Sequence, residues 1–503
     1  MADPLASLGA DPWTVFRDRR RDDWLLGYDP QRFNDTVERA IAELEHWQTT
    51  HRDRAAPVVW LATPHPIEFW AKFLAACLVP CHVFLLNSHW RTTEWAQLSH
   101  LAQPDVIWGE IPRFPGAIAP SPLPDLPSAL VMIPTGGSSG QLRFAMHTWG
   151  TLLASVQGFQ QYFQVEAVHS FCVLPPYHVS GLMQFLRSLL TGGQLQCLAA
   201  KSLTQSPLPS IPPNHFFLSL VPTQLHTLLQ QRDRRDWLTR FHTVMLGGAP
   251  LSDRLRQIAL QADIAIAPTY GMTETAAQVV TLKPAACRQG QLGCGRVLPH
   301  ATVTLQNPTF DLALGYPVGQ IAIAATSLAL GYYPHRFPTA TFQTDDLGFW
   351  DEHGSLHLVG RNSHKIITGG ENVFPAEVET AIHSTGLVQD VGVTSVADRH
   401  WGQAVTALYL PAANAPTDLL AQLQAQLRDR LAAYKLPKHW IAVPHLPRNA
   451  QGKLNRLALK QLAQTQLAPN PPATGAATVA NNPVTPPLAE SSHEYMHDES
   501  SPD

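Results

Sequence analysis

The chain has 503 residues, a hydrophobic fraction of 45% that includes 13 tryptophans, and a formal net charge of −4. A single hydrophobic core rarely organises more than about 250–300 residues, so this length predicts two to four domains. The slightly acidic charge gives no electrostatic basis for binding nucleic acid or an anionic membrane, and we expect neither as a partner. The sequence leaves the oligomeric state open.

No segment has the pattern of a secretion signal or a membrane span. The N-terminus, MADPLASLGADPW, has neither the basic nor the apolar region of a signal peptide. The most apolar stretch, residues 73–86, is interrupted by Pro80 and His82, whereas a transmembrane helix needs roughly 20 apolar residues. We therefore expect a cytoplasmic protein without integral membrane association. The cysteines stand in apolar surroundings, which predicts buried free thiols; they are Cys77, Cys81, Cys172, Cys197, Cys287 and Cys294.

Up to about residue 297, short apolar runs alternate with helical patterns. The spacing of apolar residues predicts helices over 33–47, 67–78, 151–163 and 182–190. Runs rich in β-branched or aromatic residues predict strands over 58–62, 83–86, 106–108, 130–133, 170–174, 216–220 and 243–246. This alternation predicts an α/β fold in which parallel sheets are covered by helices.

After about residue 297 the pattern changes to strands separated by turns, predicted over 302–305, 320–324, 348–350 and 357–358. An α+β segment follows, with strands over 391–393 and 404–409 and a helix over 418–432. We therefore expect a large layered α/β domain over 1–361, including a β-rich subdomain over about 297–361, and a small α+β domain over 362–465. Residues 466–503 have too little apolar surface to offset the entropy of ordering, which predicts a disordered tail.

A turn of small residues follows the strand predicted at 130–133. It consists of Thr135, Gly136, Gly137, Ser138, Ser139 and Gly140. Glycines let the backbone approach an anion closely, and successive N–H groups with serine hydroxyls can hold phosphate oxygens. The same residues match the G-x-S-x-G pattern, so a serine hydrolase with Ser138 as nucleophile is an alternative. That enzyme would also need an acid and a histidine such as His178, His242 or His300.

Further motifs follow in order along the chain. They are GGA at 247–249, YGMTE at 270–274, TDDLG at 344–348, GRNSHKIITGGEN at 360–372 and PRNAQGKLNR at 447–456. Asp346 can accept hydrogen bonds from a diol, and Arg361 offers a fork of donors. Lys453 lies in a glycine-flanked loop, where its charge could stabilise a developing negative charge.

The motifs together resemble the adenylate-forming superfamily of acyl-CoA synthetases, luciferases and peptide-synthetase adenylation domains, over roughly residues 55–462. The resemblance implies a two-step reaction. A carboxylic acid and ATP, with Mg²⁺, first give an acyl-adenylate and pyrophosphate, and the thiol of coenzyme A then displaces AMP. It also implies that the small domain is mobile and rotates between the two steps.

The resemblance implies a role for each motif of the large domain. The turn at 135–140 and Arg143 would bind the triphosphate, and Gly247, Gly248 and Ala249 would lie against the adenine and the acyl group. In the YGMTE motif, which includes Gly271 and Met272, Tyr270 would stack on adenine, Thr273 would contact the α-phosphate and Glu274 would hold Mg²⁺. Asp346 and Arg361 would bind the ribose hydroxyls.

In the small domain, the resemblance implies a hinge at Ser363 and a pantetheine tunnel lined by Gly369 and Gly370. Lys453 would contact both the substrate carboxylate and the α-phosphate. The chain departs from the usual pattern at three of these places. Arg143 replaces a lysine, which keeps the charge but changes the donor geometry. Asp345 replaces the glycine of the usual TGD, and Ser363 stands where Asp or Lys is commoner.

The segment PPYHVSG at 175–181 resembles one whose histidine borders the acyl site. With YGMTETAAQ at 270–278, it is most similar to the o-succinylbenzoate:CoA ligases of menaquinone and phylloquinone biosynthesis. Their substrate carries a second carboxylate that needs hydrogen-bond donors, for which the candidates are His178, Ser180, Gln184, Thr273 and Gln278. Another aryl or fatty acid CoA ligase, a stand-alone enzyme that charges a carrier protein, and a non-catalytic binding protein are the alternatives.

Overall fold

The structure of the protein is a computed structural model that describes residues 11–52, 56–112, 126–136, 141–205, 208, 215–312, 314–448 and 452–467. Several helices begin at a proline, which has no N–H to leave unpaired in the first turn. The helices are α1 Pro12–Arg19, α2 Pro30–Thr50, α3 Pro66–Leu78, α4 Thr92–Leu101, α5 Trp149–Phe163, α6 Val179–Leu190, α7 Pro222–Leu229, α8 Arg232–Leu238, α9 Asp253–Gln261, α10 Pro284–Arg288, α11 Pro375–Ser384, α12 Leu419–Arg428 and α13 Arg456–Leu467.

The strands of the large sheets are short, and those of the β-rich part are longer. They are β1 Leu25–Leu26, β2 Val58–Leu61, β3 His82–Leu85, β4 Val106–Trp108, β5 Leu130–Gly136, β6 Leu142–His147, β7 His169–Cys172, β8 Leu195–Cys197, β9 Phe216–Leu220, β10 Thr243–Leu246, β11 Ile266–Met272, β12 Ala277–Thr281, β13 Arg296–Val297, β14 Ala301–Asp311, β15 Tyr316–Ala325, β16 Gly331–Tyr332, β17 His335–Arg336, β18 Phe342–Trp350, β19 Leu356–Arg361, β20 Ile366–Thr368, β21 Glu371–Val373, β22 Val388–Asp398, β23 Gly402–Pro411 and β24 His439–Ala442.

Two large sheets organise the first part of the chain. One has the strand order β1-β8-β7-β9-β10-β11-β12-β13, and its strands are parallel from β1 to β11. The other has the order β17-β16-β6-β5-β3-β2-β4, and its strands β4, β2, β3 and β5 are parallel. Every residue of β2, β3 and β10 is buried, as expected for parallel strands covered on both faces. The predicted α/β fold is confirmed.

The remaining strands form two smaller sheets. The strands β14-β15-β18-β19 form an antiparallel sheet, in the region where the sequence predicts a β-rich pattern. The last sheet has the order β21-β20-β23-β22, with β24 parallel to β23, and its core includes residues of α11 and α12. Helix α13 reaches Leu467 and so continues past the predicted boundary at 465. Residues 468–503 lie outside the described residues.

All six cysteines are free thiols, and three of them are buried. Burial is the main reason that the pKa of each thiol is raised, to about 12 for Cys172 and Cys294. Cys172 and Cys197 are register partners on the neighbouring strands β7 and β8. The helices in the described ranges are each too short or too polar to span a bilayer.

Candidate active site

The ribose-binding pair expected from the sequence is formed across two strands. Asp346 on β18 and Arg361 on β19 are register partners, and the Nε atom of Arg361 lies 3.0 Å from a carboxylate oxygen of Asp346. The other oxygen accepts a hydrogen bond of 2.9 Å from the hydroxyl of Tyr270. Burial, followed by the charge of Asp346, raises the pKa of Tyr270. The side chains from YGMTE, TDDLG and GR therefore form one hydrogen-bonded chain.

Glu274 joins the ends of the two large sheets. It is buried, and one carboxylate oxygen lies 3.5 Å from the hydroxyl of Thr135 at the end of β5 and 2.5 Å from the hydroxyl of Tyr332 on β16. The guanidinium of Arg143 lies over the ring of Tyr332, 4.5 Å from its centroid. Thr135 and Arg143 are register partners on β5 and β6. The sequence placed Arg143 near the triphosphate but did not indicate Tyr332.

His147 fixes the backbone of the YGMTE motif and was not predicted as a site residue. It is fully buried at the end of β6, and its Nε2 atom donates a hydrogen bond of 2.8 Å to the carbonyl of Thr273. Its Nδ1 atom lies 3.0 Å from the hydroxyl of Thr151 on α5. Burial lowers the pKa of His147 to about 4, so the imidazole is neutral near pH 7.

The GGA motif follows β10 and gives Lys453 room to approach. Gly248 has a φ of +80°, and a β-carbon built on it would lie 3.4 Å from the Cε atom of Lys453. A β-carbon on Gly247 would lie 2.7 Å from the hydroxyl of Thr269. A larger residue at 248 would adopt a strained backbone and would narrow the passage of Lys453. The GGA motif and the lysine loop are therefore neighbours in space.

Lys453 lies near the residues that are expected to bind the nucleotide. Its side chain keeps an exposed edge, but its ammonium is partly removed from water, and this burial is the main reason that its pKa is lowered. The charge of Arg361 lowers the pKa further, whereas Glu274 and Asp346 raise it. The structure thus brings Lys453 within electrostatic reach of residues from three other motifs.

The segment after Arg361 contains the predicted hinge and glycine turn. The N–H of Ser363 donates a hydrogen bond of 3.1 Å to Asp345. Further on, Gly369 and Gly370 connect β20 to β21 with φ values of +58° and +88°, which suits a two-residue hairpin turn of type I′. A β-carbon on Gly369 would lie 3.1 Å from the ring of Trp401.

The predicted acyl-site residues lie at and after the start of α6. His178 immediately precedes α6, and its Nε2 atom is buried without a hydrogen-bond partner among the described residues. Burial, followed by the charge of Lys453, lowers the pKa of His178 to about 4. Ser180 accepts a hydrogen bond of 2.9 Å at its carbonyl from the side chain of Gln184, whose own Oε1 atom is buried and unpaired in the described part.

Arg187 is a buried cation that the sequence reasoning missed. It lies seven residues after Ser180 and three after Gln184, so the three residues share one face of α6. Its Nη2 atom donates a hydrogen bond of 2.7 Å to Oε1 of Gln278, and its guanidinium lies 4.1 Å from the ring centroid of Phe159. Burial lowers its pKa to about 9. The available signal was an arginine inside the apolar sequence GLMQFLRSLL.

No carboxylate forms a salt bridge with Arg187 within the ranges that the structure describes. Its Nε atom is also buried and unpaired there. A buried charge without a counter-ion is costly, and a ligand carboxylate would relieve that cost. Gln278, predicted as a donor to the substrate, accepts a hydrogen bond from Arg187 through its amide oxygen, and its amide nitrogen lies 3.9 Å from the sulfur of Met245.

The turn expected to bind the triphosphate lies only in part within the described residues. Thr135 and Gly136 end β5, whereas Gly137, Ser138, Ser139 and Gly140 lie outside the described residues. Of the histidines that a hydrolase with Ser138 could use, His242 immediately precedes β10 and so lies at the opposite end of that strand from Gly247. His300 lies beside Gly158 on α5, and burial lowers its pKa to about 4.

Comparison with known proteins gives two family matches. Residues 88–333 match the AMP-binding enzyme family, and residues 377–453 match the AMP-binding enzyme C-terminal domain. The 2-succinylbenzoate–CoA ligase of Bacillus velezensis is 30% identical over 362 residues, which cover 70% of this chain and 73% of that protein. The ligase of the same name from a Geobacillus species is 33% identical over 297 residues, and the chain spans 60% of its length.

Solved structures show the same fold. The o-succinylbenzoate CoA synthetase of Bacillus subtilis, in complex with its acyl-adenylate intermediate, superposes with a TM-score of 0.73 at 21% identity, over 90% of this chain and 98% of that one. The ATP-bound MatB of Rhodopseudomonas palustris gives a TM-score of 0.71 at 21% identity, over 90% and 99% of the two chains. The motifs, their convergence and the identity to the Bacillus velezensis enzyme establish that this chain is an AMP-binding, adenylate-forming enzyme and belongs to the family of the 2-succinylbenzoate–CoA ligases.

Proposed function

We propose that the protein is an AMP-forming acid–CoA ligase that converts 2-succinylbenzoate to 2-succinylbenzoyl-CoA, a step of menaquinone or phylloquinone biosynthesis. The acid and ATP give an acyl-adenylate and pyrophosphate, and the thiol of coenzyme A then displaces AMP. The enzyme would work in the cytoplasm, where ATP and coenzyme A are available. Residues 1–361 would form the adenylation domain and residues 362–465 the mobile small domain.

In the first step, the substrate carboxylate attacks the α-phosphate of ATP. Lys453 would stabilise the negative charge that develops between the two groups, because its ammonium lies near the nucleotide-binding residues and is partly desolvated. Neutral His178 would border the carboxylate without adding a second positive charge. Asp346 and Arg361 would hold the ribose, and Thr273 would contact the α-phosphate.

Glu274 fits a Mg²⁺ site. Its carboxylate is buried and accepts hydrogen bonds from two hydroxyls, and no salt bridge to it occurs in the described ranges. Oxygen ligands of this kind suit Mg²⁺, which would neutralise triphosphate charge and help pyrophosphate to leave. Thr135 lies beside Glu274, at the end of β5, where the turn expected to bind the triphosphate begins.

The observation that carries the substrate assignment is the buried guanidinium of Arg187. A dicarboxylate keeps one carboxylate that takes no part in the reaction, and Arg187 is a buried cation on the same face of α6 as Ser180 and Gln184. A benzoate or a fatty acid would bring no charge to this position and would leave the cation unpaired. The site therefore favours an acid with a second carboxylate.

The test is a comparison of kcat/KM for thioester formation with 2-succinylbenzoate, benzoate, 4-coumarate and octanoate. We expect 2-succinylbenzoate to exceed the other acids by about tenfold or more, because an unpaired buried charge costs more than about 1.4 kcal/mol. Arg187→Met should erode this preference, and Arg187→Lys should retain part of it. Arg240→Ala, which changes an arginine at the far end of β10 from Gly247, is the control.

A monocarboxylate that proved the better substrate would disprove the assignment to 2-succinylbenzoate and favour another aryl or fatty acid CoA ligase. Transfer of the acyl group to a carrier protein, with no use of free coenzyme A, would instead favour the carrier-charging alternative. Covalent labelling of Ser138 by a fluorophosphonate would support the hydrolase alternative. Each of these results would support a different function.

A further inference from the structure

Arg254 joins the large α/β part of the chain to the small α+β part, and both parts contribute residues to the candidate site. It lies in the first turn of α9, the helix that follows the GGA motif along the chain, whereas Gly386 follows α11 in the small α+β part. A β-carbon built on Gly386 would lie 2.0 Å from the Nη1 atom of Arg254 and 3.1 Å from its Cζ atom. The guanidinium therefore packs directly on the backbone of Gly386.

The guanidinium of Arg254 lies at the C-terminal end of α11, where a positive charge is favourable. Helix α11 ends at Ser384, and the N–H groups of Thr385 and Gly386 bond to the carbonyls of Ile382 and His383. The C-terminal end of a helix carries a partial negative charge, so a cation placed against it is stabilising. Gly386 has a φ of +73°, and the absence of a side chain there leaves the space that Arg254 occupies.

A second contact lies beside Lys453. A β-carbon on Gly452 would lie 3.2 Å from the hydroxyl of Thr223 on α7, and the next residue is Lys453, which approaches Gly248. Helix α9 also packs against α11. Helices α7 and α9 of the large part therefore contact the small part at both α11 and the lysine loop.

We propose that Arg254 is a positioning residue for adenylation, which holds α11 against α9 and so keeps Lys453 against the GGA motif. Arg254 acts through Lys453 and has no direct role in the chemistry. The inference rests on the proposed two-step reaction but not on which acid is the substrate. If the small domain rotates away before the second step, the contact is absent during thioester formation. Loss of Arg254 then slows only the first step.

The experiment measures the two half-reactions separately in the full-length protein. Adenylation is followed as pyrophosphate release without coenzyme A, and the second step as thioester formation from supplied acyl-adenylate and coenzyme A. For Arg254→Ala we expect kcat of adenylation to fall about 3- to 10-fold, with the KM for ATP unchanged and the second step unaffected. Arg254→Glu should reduce kcat of adenylation further, because it places a negative charge against the end of α11. Arg254→Lys keeps the positive charge and should retain most of the wild-type adenylation rate.

Arg240→Ala is the matched control, since Arg240 is an exposed arginine that lies at the amino end of β10, away from Gly248. Thermal unfolding checks that each variant is folded, which is expected because Arg254 lies on the surface. Equal losses in both half-reactions, or no loss in either, would overturn the inference. A wild-type protein that formed no adenylate from any acid would instead refute the proposed function.

Discussion

The N–H of Ser363 donates a hydrogen bond of 3.1 Å to the carboxylate of Asp345, and the hydroxyl of Ser363 donates another to the same group. Both residues depart from the pattern of the adenylate-forming enzymes, in which a glycine and an acidic or basic residue are usual. The two unusual residues therefore bond to each other. The adjacent Asp346, which is expected to bind the ribose, instead bonds to Tyr270 and Arg361.

The first prediction concerns this hinge. Proline at 363 fixes φ near −65° and removes the N–H that bonds to Asp345, so Ser363→Pro should prevent the backbone change that rotation needs. We expect pyrophosphate release to persist and thioester formation to fall by about tenfold or more. Ser363→Ala keeps the N–H and should support both steps. A proline variant with both steps intact would exclude Ser363 as the hinge.

The second prediction concerns Lys453. Lys453→Ala removes the ammonium near Glu274, Asp346 and Arg361, so adenylation should fall by about 10²- to 10³-fold, the usual effect of losing one electrostatic stabiliser of a transition state. Conversion of supplied acyl-adenylate to the thioester should continue. Lys460→Ala, on the exposed side of α13, is the control. Equal loss of both half-reactions would contradict the role given to Lys453.

The third prediction concerns the hydroxyl of Tyr332. Tyr332→Phe leaves the ring under Arg143 but removes the hydrogen bond to Glu274. The Glu274 carboxylate then loses a hydrogen bond that orients it, so the Mg²⁺ concentration for half-maximal adenylation should rise by about 3- to 10-fold. Tyr333→Phe changes the adjacent tyrosine, whose ring packs against Phe84, and should leave the Mg²⁺ dependence unchanged. An unchanged Mg²⁺ dependence in Tyr332→Phe would contradict the role of Glu274 as the Mg²⁺ ligand.

The fourth prediction concerns stability at acid pH. Burial lowers the pKa of His147 from 6.5 to about 4, so between these values the unfolded chain binds a proton that the folded chain does not. The free energy of unfolding should therefore fall as the pH is lowered from 6.5 to 4. His147 contributes about 2 kcal/mol of this fall between pH 7 and pH 5.

Urea unfolding at pH 7 and pH 5 measures this effect. His147→Gln should show a smaller difference in unfolding free energy between the two pH values than the unchanged protein does. His335→Gln alters an exposed histidine and should retain the full difference. The same pH dependence in His147→Gln and in the unchanged protein would show that His147 does not titrate as its burial predicts.

The motifs could be predicted from sequence because each depends on residues that are close together in the chain. Strand β10 followed by Gly247, and β11 followed by Thr273, place functional groups at the carboxyl ends of neighbouring parallel strands, as the alternation of strands and helices predicts. The family resemblance then supplied roles that local order alone does not give. The fold class followed from the same alternation.

The missed residues depend on contacts between distant segments. Tyr332 meets Glu274 from a short strand of the other sheet, and Arg187 meets Gln278 across 91 residues of sequence. Strand β6 was not predicted because the exposed Arg143 interrupts its first residues, so no continuous apolar run marks its start. Single-sequence patterns report which residues are buried but not which buried residues meet.

The raised pKa of the native thiols has a practical consequence for measuring domain motion. The thiolate is the reactive form of cysteine, and the raised pKa of all six native thiols keeps them protonated at neutral pH. A cysteine introduced on the surface of α9 and another on α11 would therefore react with maleimide dyes ahead of the native ones. The distance between such dyes could be followed by energy transfer during turnover, without first removing the native cysteines.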